Sequence, residues 1–94
     1  MSAWYLYLIR AHNNTLYTGI STDVERRFLE HQSGGAKAAR SLKGKGPLTL
    51  MYVTKIGSHS QALSVEYRIK KLPRTKKLAL INGELDINQL YQLS

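Results

Sequence analysis

Trp4-Tyr5-Leu6-Tyr7-Leu8-Ile9-Arg10-Ala11-His12-Asn13-Asn14-Thr15-Leu16-Tyr17-Thr18-Gly19 is the stretch on which the fold turns. Its first part alternates, with Tyr5, Tyr7 and Ile9 on one side and Trp4, Leu6 and Leu8 on the other. Both sets are apolar, the pattern of a central strand covered on two faces. Arg10 to Thr15 is polar and contains Asn13-Asn14, a turn-forming pair, so Leu16 to Thr18 should return as a short antiparallel partner. Tyr7 and Tyr17, ten residues apart in the chain, are thereby expected on neighbouring strands, sharing one small patch. Gly19 follows at a point where a close backbone approach or a bend is tolerated.

The chain has 94 residues, enough for one modest core, and the whole of 1–94 is read as one domain. An apolar fraction of 43% with one Trp, one Phe and six Tyr suits a folded rather than a disordered chain. There is no Cys, which removes disulfides and thiolate metal sites and suits a reducing cytoplasm. The apolar run from Trp4 to Ile9 is far shorter than the ~20 residues of a membrane span, and no basic segment precedes it as in a signal peptide. A soluble cytoplasmic protein with no membrane partner is expected. The 14 Lys and Arg against 6 Asp and Glu give a net charge of +8, which makes nucleic acid the leading partner class. Such a domain concentrates on polyanions by releasing their condensed counterions, without reading sequence.

Further along, Thr22-Asp23-Val24-Glu25 has capping-box spacing, and Val24 with Phe28 gives an apolar stripe, so a helix is expected from about Asp23 to His31. From Gly34 to Pro47 the chain is Gly-rich and polar, carries Lys37, Arg40, Lys43 and Lys45, and reads as a long, mobile basic loop. Leu48 to Lys55 suits a third strand. Ser58 or Ser60 can cap a second helix that runs through Leu72 and is ended by Pro73. Thr75 to Ile81 forms a short third helix stopped by Asn82-Gly83, and Asp86 caps a last one over Ile87 to Leu93.

Between His31 and Gly83 stand eleven Lys and Arg residues and a single carboxylate, Glu66. On a helical projection Glu66 falls within the apolar arc of Leu72, Val65, Ile69, Ala62 and Leu63, so it should face the sheet. A carboxylate there needs a partner, either Arg27 or Lys70 in a salt bridge or a divalent metal ion. Arg27 and His31 are one turn apart and project from the same face of the first helix, where they can frame the two tyrosines.

Tyr5-Leu6-Tyr7, Tyr17-Thr18-Gly19, Arg27, His31 and Glu66, in this order and spacing, resemble the GIY-YIG nuclease superfamily in its small, single-domain, YhbQ-like bacterial branch. The resemblance covers about the first eighty residues, with a motif-bearing core over about 2–82. The first family motif falls on Tyr5-Leu6-Tyr7, with Tyr5 in place of Gly and Leu6 in place of Ile. The second falls on Tyr17-Thr18-Gly19, with Thr18 in place of Ile. Asn82 corresponds to a late asparagine of some relatives, although a helix stop explains it equally.

The resemblance implies an α/β (α+β) fold in which a three-stranded antiparallel sheet is flanked by helices. It also implies phosphodiester hydrolysis with one divalent ion, Mg²⁺ or Mn²⁺, held by Glu66. Arg27 would clamp a phosphate oxygen, and Tyr7 would position or deprotonate the water, with Tyr17 and His31 orienting it or sharing the proton. A free tyrosine ionises near pH ~10, so Tyr7 would need Arg27 or the metal to lower that value, whereas His31 titrates in the useful range unaided. Gly19, Lys37, Arg40, Lys43, Lys45, Arg68, Lys70, Lys71 and Arg74 form the expected substrate-binding set, continued by Lys76 and Lys77 along the phosphate backbone.

DNA is favoured over RNA as the substrate, with a role in repair or processing. Two other readings stand beside the endonuclease. One is a nucleic-acid-binding module on the same fold without catalysis, and the other a basic structural component of a ribonucleoprotein. Oligomeric state is not readable from these residues.

Overall fold

The computed structural model describes residues 2–92. Its centre is β1 (Trp4–Arg10), which pairs antiparallel with β2 (Leu16–Ser21) on one side and β3 (Thr49–Gly57) on the other, giving a three-stranded sheet in the order β2-β1-β3. The alternation in β1 explains its central place. Leu6 and Leu8 are buried on one face of the sheet, and Tyr7 and Ile9 on the other. The turn closes as the Asn pair dictates: Asn14 adopts φ 67°, the Ala11 N–H donates to the Thr15 carbonyl, and the Asn14 N–H donates to Ala11. β2 runs through Gly19 to Ser21 instead of ending at Thr18, because Gly19 pairs with Tyr7 inside the ladder.

On the Tyr7 side lies α1 (Val24–Ser33), capped by Asp23, whose side chain accepts from the Arg26 N–H. The cap is thus Asp23 and not Thr22, and the helix continues two residues past His31 to Gly34, which takes the left-handed conformation at φ 68°. Val24 and Phe28 pack beside Tyr7, Ile9, Ala11, Leu42 and Leu48.

The opposite face is covered by α2 (His59–Lys70), α3 (Arg74–Ile81) and α4 (Ile87–Gln92). Ser58 caps α2 in a capping box with Gln61, which decides between the two expected serines. Val65, Ile69, Leu80 and Ile87 bury against Leu6 and Leu8, each side chain contributing about 1.5–3 kcal/mol of apolar burial. Trp4 stacks on His59 with ring centroids 4.3 Å apart, fastening the start of β1 to the start of α2. Asn82 closes α3 and Gly83 follows at φ 80°, its N–H donating to Leu80, so the pair does act as a helix stop. Leu93, the expected end of the last helix, lies outside the described residues.

Residues 34–47 depart from the expected open, mobile loop. A single helical turn, Arg40–Leu42, interrupts the segment; Leu42 is buried and Ala39 half-buried against the Tyr7 face, and Ala38 is buried as well. The His12 N–H donates to the Lys45 carbonyl at 2.8 Å, and the Gln32 side chain both donates to and accepts from the Leu48 backbone. A few apolar residues, too few to show a period, are enough to seat the segment. Leu63 is the other departure: at 46% exposure it lies outside the buried stripe of α2.

Candidate active site

The register of β1 and β2 sets the site. Tyr7 pairs directly with Gly19, and Tyr17 pairs with Ile9, which puts Tyr17 diagonal to Tyr7 on the same sheet face. Their ring centroids are 6.3 Å apart. A methyl group at Gly19 would overlap the Tyr7 hydroxyl and Cζ, so this position must lack a side chain for the phenol to lie across β2. Gly19, expected among the substrate-binding residues, is accounted for by this packing.

α1 contributes the next two groups. His31 is 1% exposed, its Nε2 is 3.0 Å from the Tyr7 hydroxyl, and its ring meets Tyr17 edge-on at 5.3 Å. Its Nδ1 accepts the Ala39 N–H at 3.0 Å. Arg27 Nη1 donates to Glu30 at 2.9 Å and to the Lys37 carbonyl at 2.6 Å. The guanidinium is also near enough to both phenols for each to stabilise its charge.

The electrostatics differ from the expected picture at two groups. Burial, with a smaller contribution from Tyr17, pushes the Tyr7 phenol well above its ordinary value, and the lowering effect of Arg27 does not offset this. Burial, followed by the Arg27 charge, moves His31 below its ordinary range. His31 is therefore a buried, neutral imidazole and not an unaided base for solvent protons.

Glu66 reaches the same neighbourhood from α2, close enough for its charge to raise Tyr7 further. Its side chain is 17% exposed and its Oε2 is 3.5 Å from Lys70 Nζ, one turn along the helix. Of the two expected salt-bridge partners the structure uses Lys70, while Arg27 pairs with Glu30. Among the described residues no group of three or more His, Cys, Asp or Glu could hold a metal ion. Glu66 thus belongs to no cluster of three such ligands. That fits a magnesium-type ion that keeps most of its water and takes its other ligands from a phosphate, and it does not fit an ion that needs an all-protein cage.

The expected basic set is spread over two segments. Lys37, Arg40, Lys43, Lys70, Lys71 and Arg74 are exposed, and Lys45 and Arg68 half-buried. Several already have partners. Lys70 pairs with Glu66, Lys71 lies 4.2 Å over the Tyr67 ring, and Arg74 donates to the Asn14 carbonyl, tying α3 to the β1–β2 turn. Glu30 and Ala39 lie outside the expected set. Glu30, three residues after Arg27, follows helix spacing and is legible from it, whereas the Ala39 contact uses a main-chain donor that residue type cannot signal.

The chain belongs to the GIY-YIG family, whose catalytic domain matches residues 3–79. Among curated relatives, the UPF0213 protein of Cronobacter sakazakii is 55% identical over 90% of this chain and 87% of its own length. The UPF0213 protein YhbQ of Escherichia coli is 54% identical over 86% and 79%. Two solution NMR structures share the fold. The UPF0213 protein BH0048 from Bacillus halodurans has a TM-score of 0.55 at 36% identity, covering 86% of this chain and 84% of that one. EF2693 from E. faecalis has a TM-score of 0.61 at 32% identity, covering 88% and 86%. The family supports an activity of the phosphodiesterase kind on nucleic acid. No described helix is long and apolar enough to cross a membrane.

Proposed function

We propose that this protein is a metal-dependent endonuclease that hydrolyses phosphodiester bonds of nucleic acid, with DNA the favoured substrate. The observation that carries the reading is the convergence of Tyr7, Tyr17, Arg27 and His31 in one patch of a chain with net charge +8. Glu66 stands within electrostatic reach of the same phenol. A cytoplasmic location and a role in DNA processing belong to the same proposal, the former resting on the cysteine-free composition.

Hydrolysis needs an oriented water and a counterweight for the charge that builds on the phosphate. Arg27, anchored by Glu30 and the Lys37 carbonyl, presents its guanidinium beside the phenols, where it can grip a non-bridging oxygen. Tyr7 stays protonated at neutral pH in the resting site, so its first task is to hold the attacking water by hydrogen bonding, with Tyr17 beside it. Held by Glu66, a divalent ion would supply positive charge against the phosphate and lower the pKa of the nearby phenol. Exposed Lys37, Arg40, Lys43, Lys70 and Lys71 would hold the flanking phosphates.

The Glu66–Lys70 pair favours a second reading, a binding module in which Glu66 is structural. Labelled single-stranded, duplex and branched DNA and RNA, incubated with wild type and Tyr7→Phe, separate the two. Cleavage that falls about a hundredfold or more in Tyr7→Phe supports the enzyme. Salt-sensitive binding with no cleavage on any substrate supports the module.

A further inference from the structure

We propose that the main-chain amide of Ala39 fixes His31 as its Nε2–H tautomer, so that His31 always donates to the Tyr7 oxygen and Ala39 is a positioning residue for that phenol. An amide nitrogen can only donate. With Ala39 N 3.0 Å from Nδ1, that ring nitrogen must offer its lone pair and carry no proton. A neutral imidazole has one N–H, which then sits on Nε2, 3.0 Å from the Tyr7 oxygen. A hydroxyl or a water at Nδ1 could turn and reverse this polarity, but a backbone amide cannot. The imidazolium is disfavoured by the same contact, since it would set one N–H against another.

The consequence for Tyr7 is a direction. Its oxygen accepts from His31, so its own O–H points away from His31. If Tyr7 is ionised during turnover, the phenolate has the His31 N–H and the neighbouring Arg27 charge to stabilise it. In neither state can the proton of Tyr7 pass to His31, because Nε2 already bears one and Nδ1 is covered. A proton that Tyr7 takes from the attacking water therefore leaves to solvent. This catalytic consequence rests on the nuclease reading; the tautomer does not.

The amide is held in place by the segment that carries it. Ala38 donates to the Gly35 carbonyl at 3.0 Å, Leu42 donates to the Ala39 carbonyl at 2.9 Å, and the Ala38 and Leu42 side chains are buried. Ala39 itself sits at φ −60°, ψ 139°, a conformation that proline adopts without strain. Ala39→Pro therefore deletes the donor while fitting the backbone at residue 39 itself.

The test is long-range ¹H–¹⁵N correlation of the His31 ring in the substrate-free protein near pH ~7, in wild type, Ala39→Gly and Ala39→Pro. In wild type and Ala39→Gly, which keep the amide, Nδ1 should resonate as an unprotonated, pyridine-type nitrogen and Nε2 as a pyrrole-type one. Ala39→Pro should show averaged tautomers or an imidazolium, and cleavage about tenfold slower or more. A protonated or averaged Nδ1 in wild type overturns the proposal, as does an unchanged Nε2–H tautomer in Ala39→Pro. Should Ala39→Pro fail to fold, the wild-type and Ala39→Gly spectra still decide. A protein that cuts nothing yet shows the Nε2–H tautomer upholds the lock and counts against the nuclease reading alone.

Discussion

The Tyr7 phenol lies across Gly19, its cross-strand partner, and occupies the space that any larger side chain at that position would claim. Gly19→Ala should therefore act through Tyr7 and not through backbone strain. The displaced ring loses its bond to His31. A stability loss of about 1–3 kcal/mol from overpacking is expected, with cleavage reduced well beyond what that loss explains. Urea unfolding and cleavage under fully folded conditions check the two effects separately.

Stability should fall on both sides of neutrality, because burial shifts His31 downward and Tyr7 upward. His31, faced by Tyr7, Tyr17, Arg27 and Glu30, has a folded pKa below its ordinary 6.5, so the unfolded chain binds more protons as pH drops beneath that value. The stability it contributes is present above pH 6.5 and is lost as pH falls through the lower, folded value. Tyr7 is shifted upward from 10.0, so its contribution is present below pH 10.0 and is lost as pH rises beyond it. Urea midpoints measured across this range should form a plateau. His31→Gln should flatten the acid limb and Tyr7→Phe should weaken the alkaline one.

Thr18, where the family motif has Ile, carries a buried hydroxyl with no hydrogen-bond partner among the described residues. Thr18→Val keeps the shape and removes the orphaned group. It should stabilise the protein by about 1 kcal/mol with cleavage unaffected, as measured by thermal unfolding.

Arg27 holds Glu30 and the Lys37 carbonyl with one nitrogen while its charge reaches both phenols. A lysine can replace the charge but not the fork. Arg27→Lys is expected to lower kcat about a hundredfold and to change stability little, because the Arg27–Glu30 pair is open to solvent.

The elements that carry a period are legible in the amino-acid sequence. β1 and β2, with the Asn13-Asn14 turn between them, fix the register, and register alone brings Tyr7 and Tyr17 onto one face. The α2 stripe of Ala62, Val65 and Ile69 likewise announces the helix that carries Glu66. What stays hidden has no period. Ala38 and Leu42 seat the 34–47 segment as isolated apolar residues, and its contact with His31 is made by a backbone N–H that every residue but proline possesses. The burial that turns His31 from an apparent base into a neutral partner of Tyr7 follows from that seating. Leu63 falls on the expected arc and is exposed.

The most direct test of the central claim compares wild type with Glu66→Ala on the substrate that is cut best, with Mg²⁺ or Mn²⁺ and with a chelator, alongside binding of the same substrate. Metal-dependent cleavage that is abolished in Glu66→Ala and by chelation, with binding retained or strengthened as the lone carboxylate is removed from a basic surface, is the predicted result. Cleavage that survives in both Glu66→Ala and chelator would contradict the account and leave Glu66 as the ion-pair partner of Lys70.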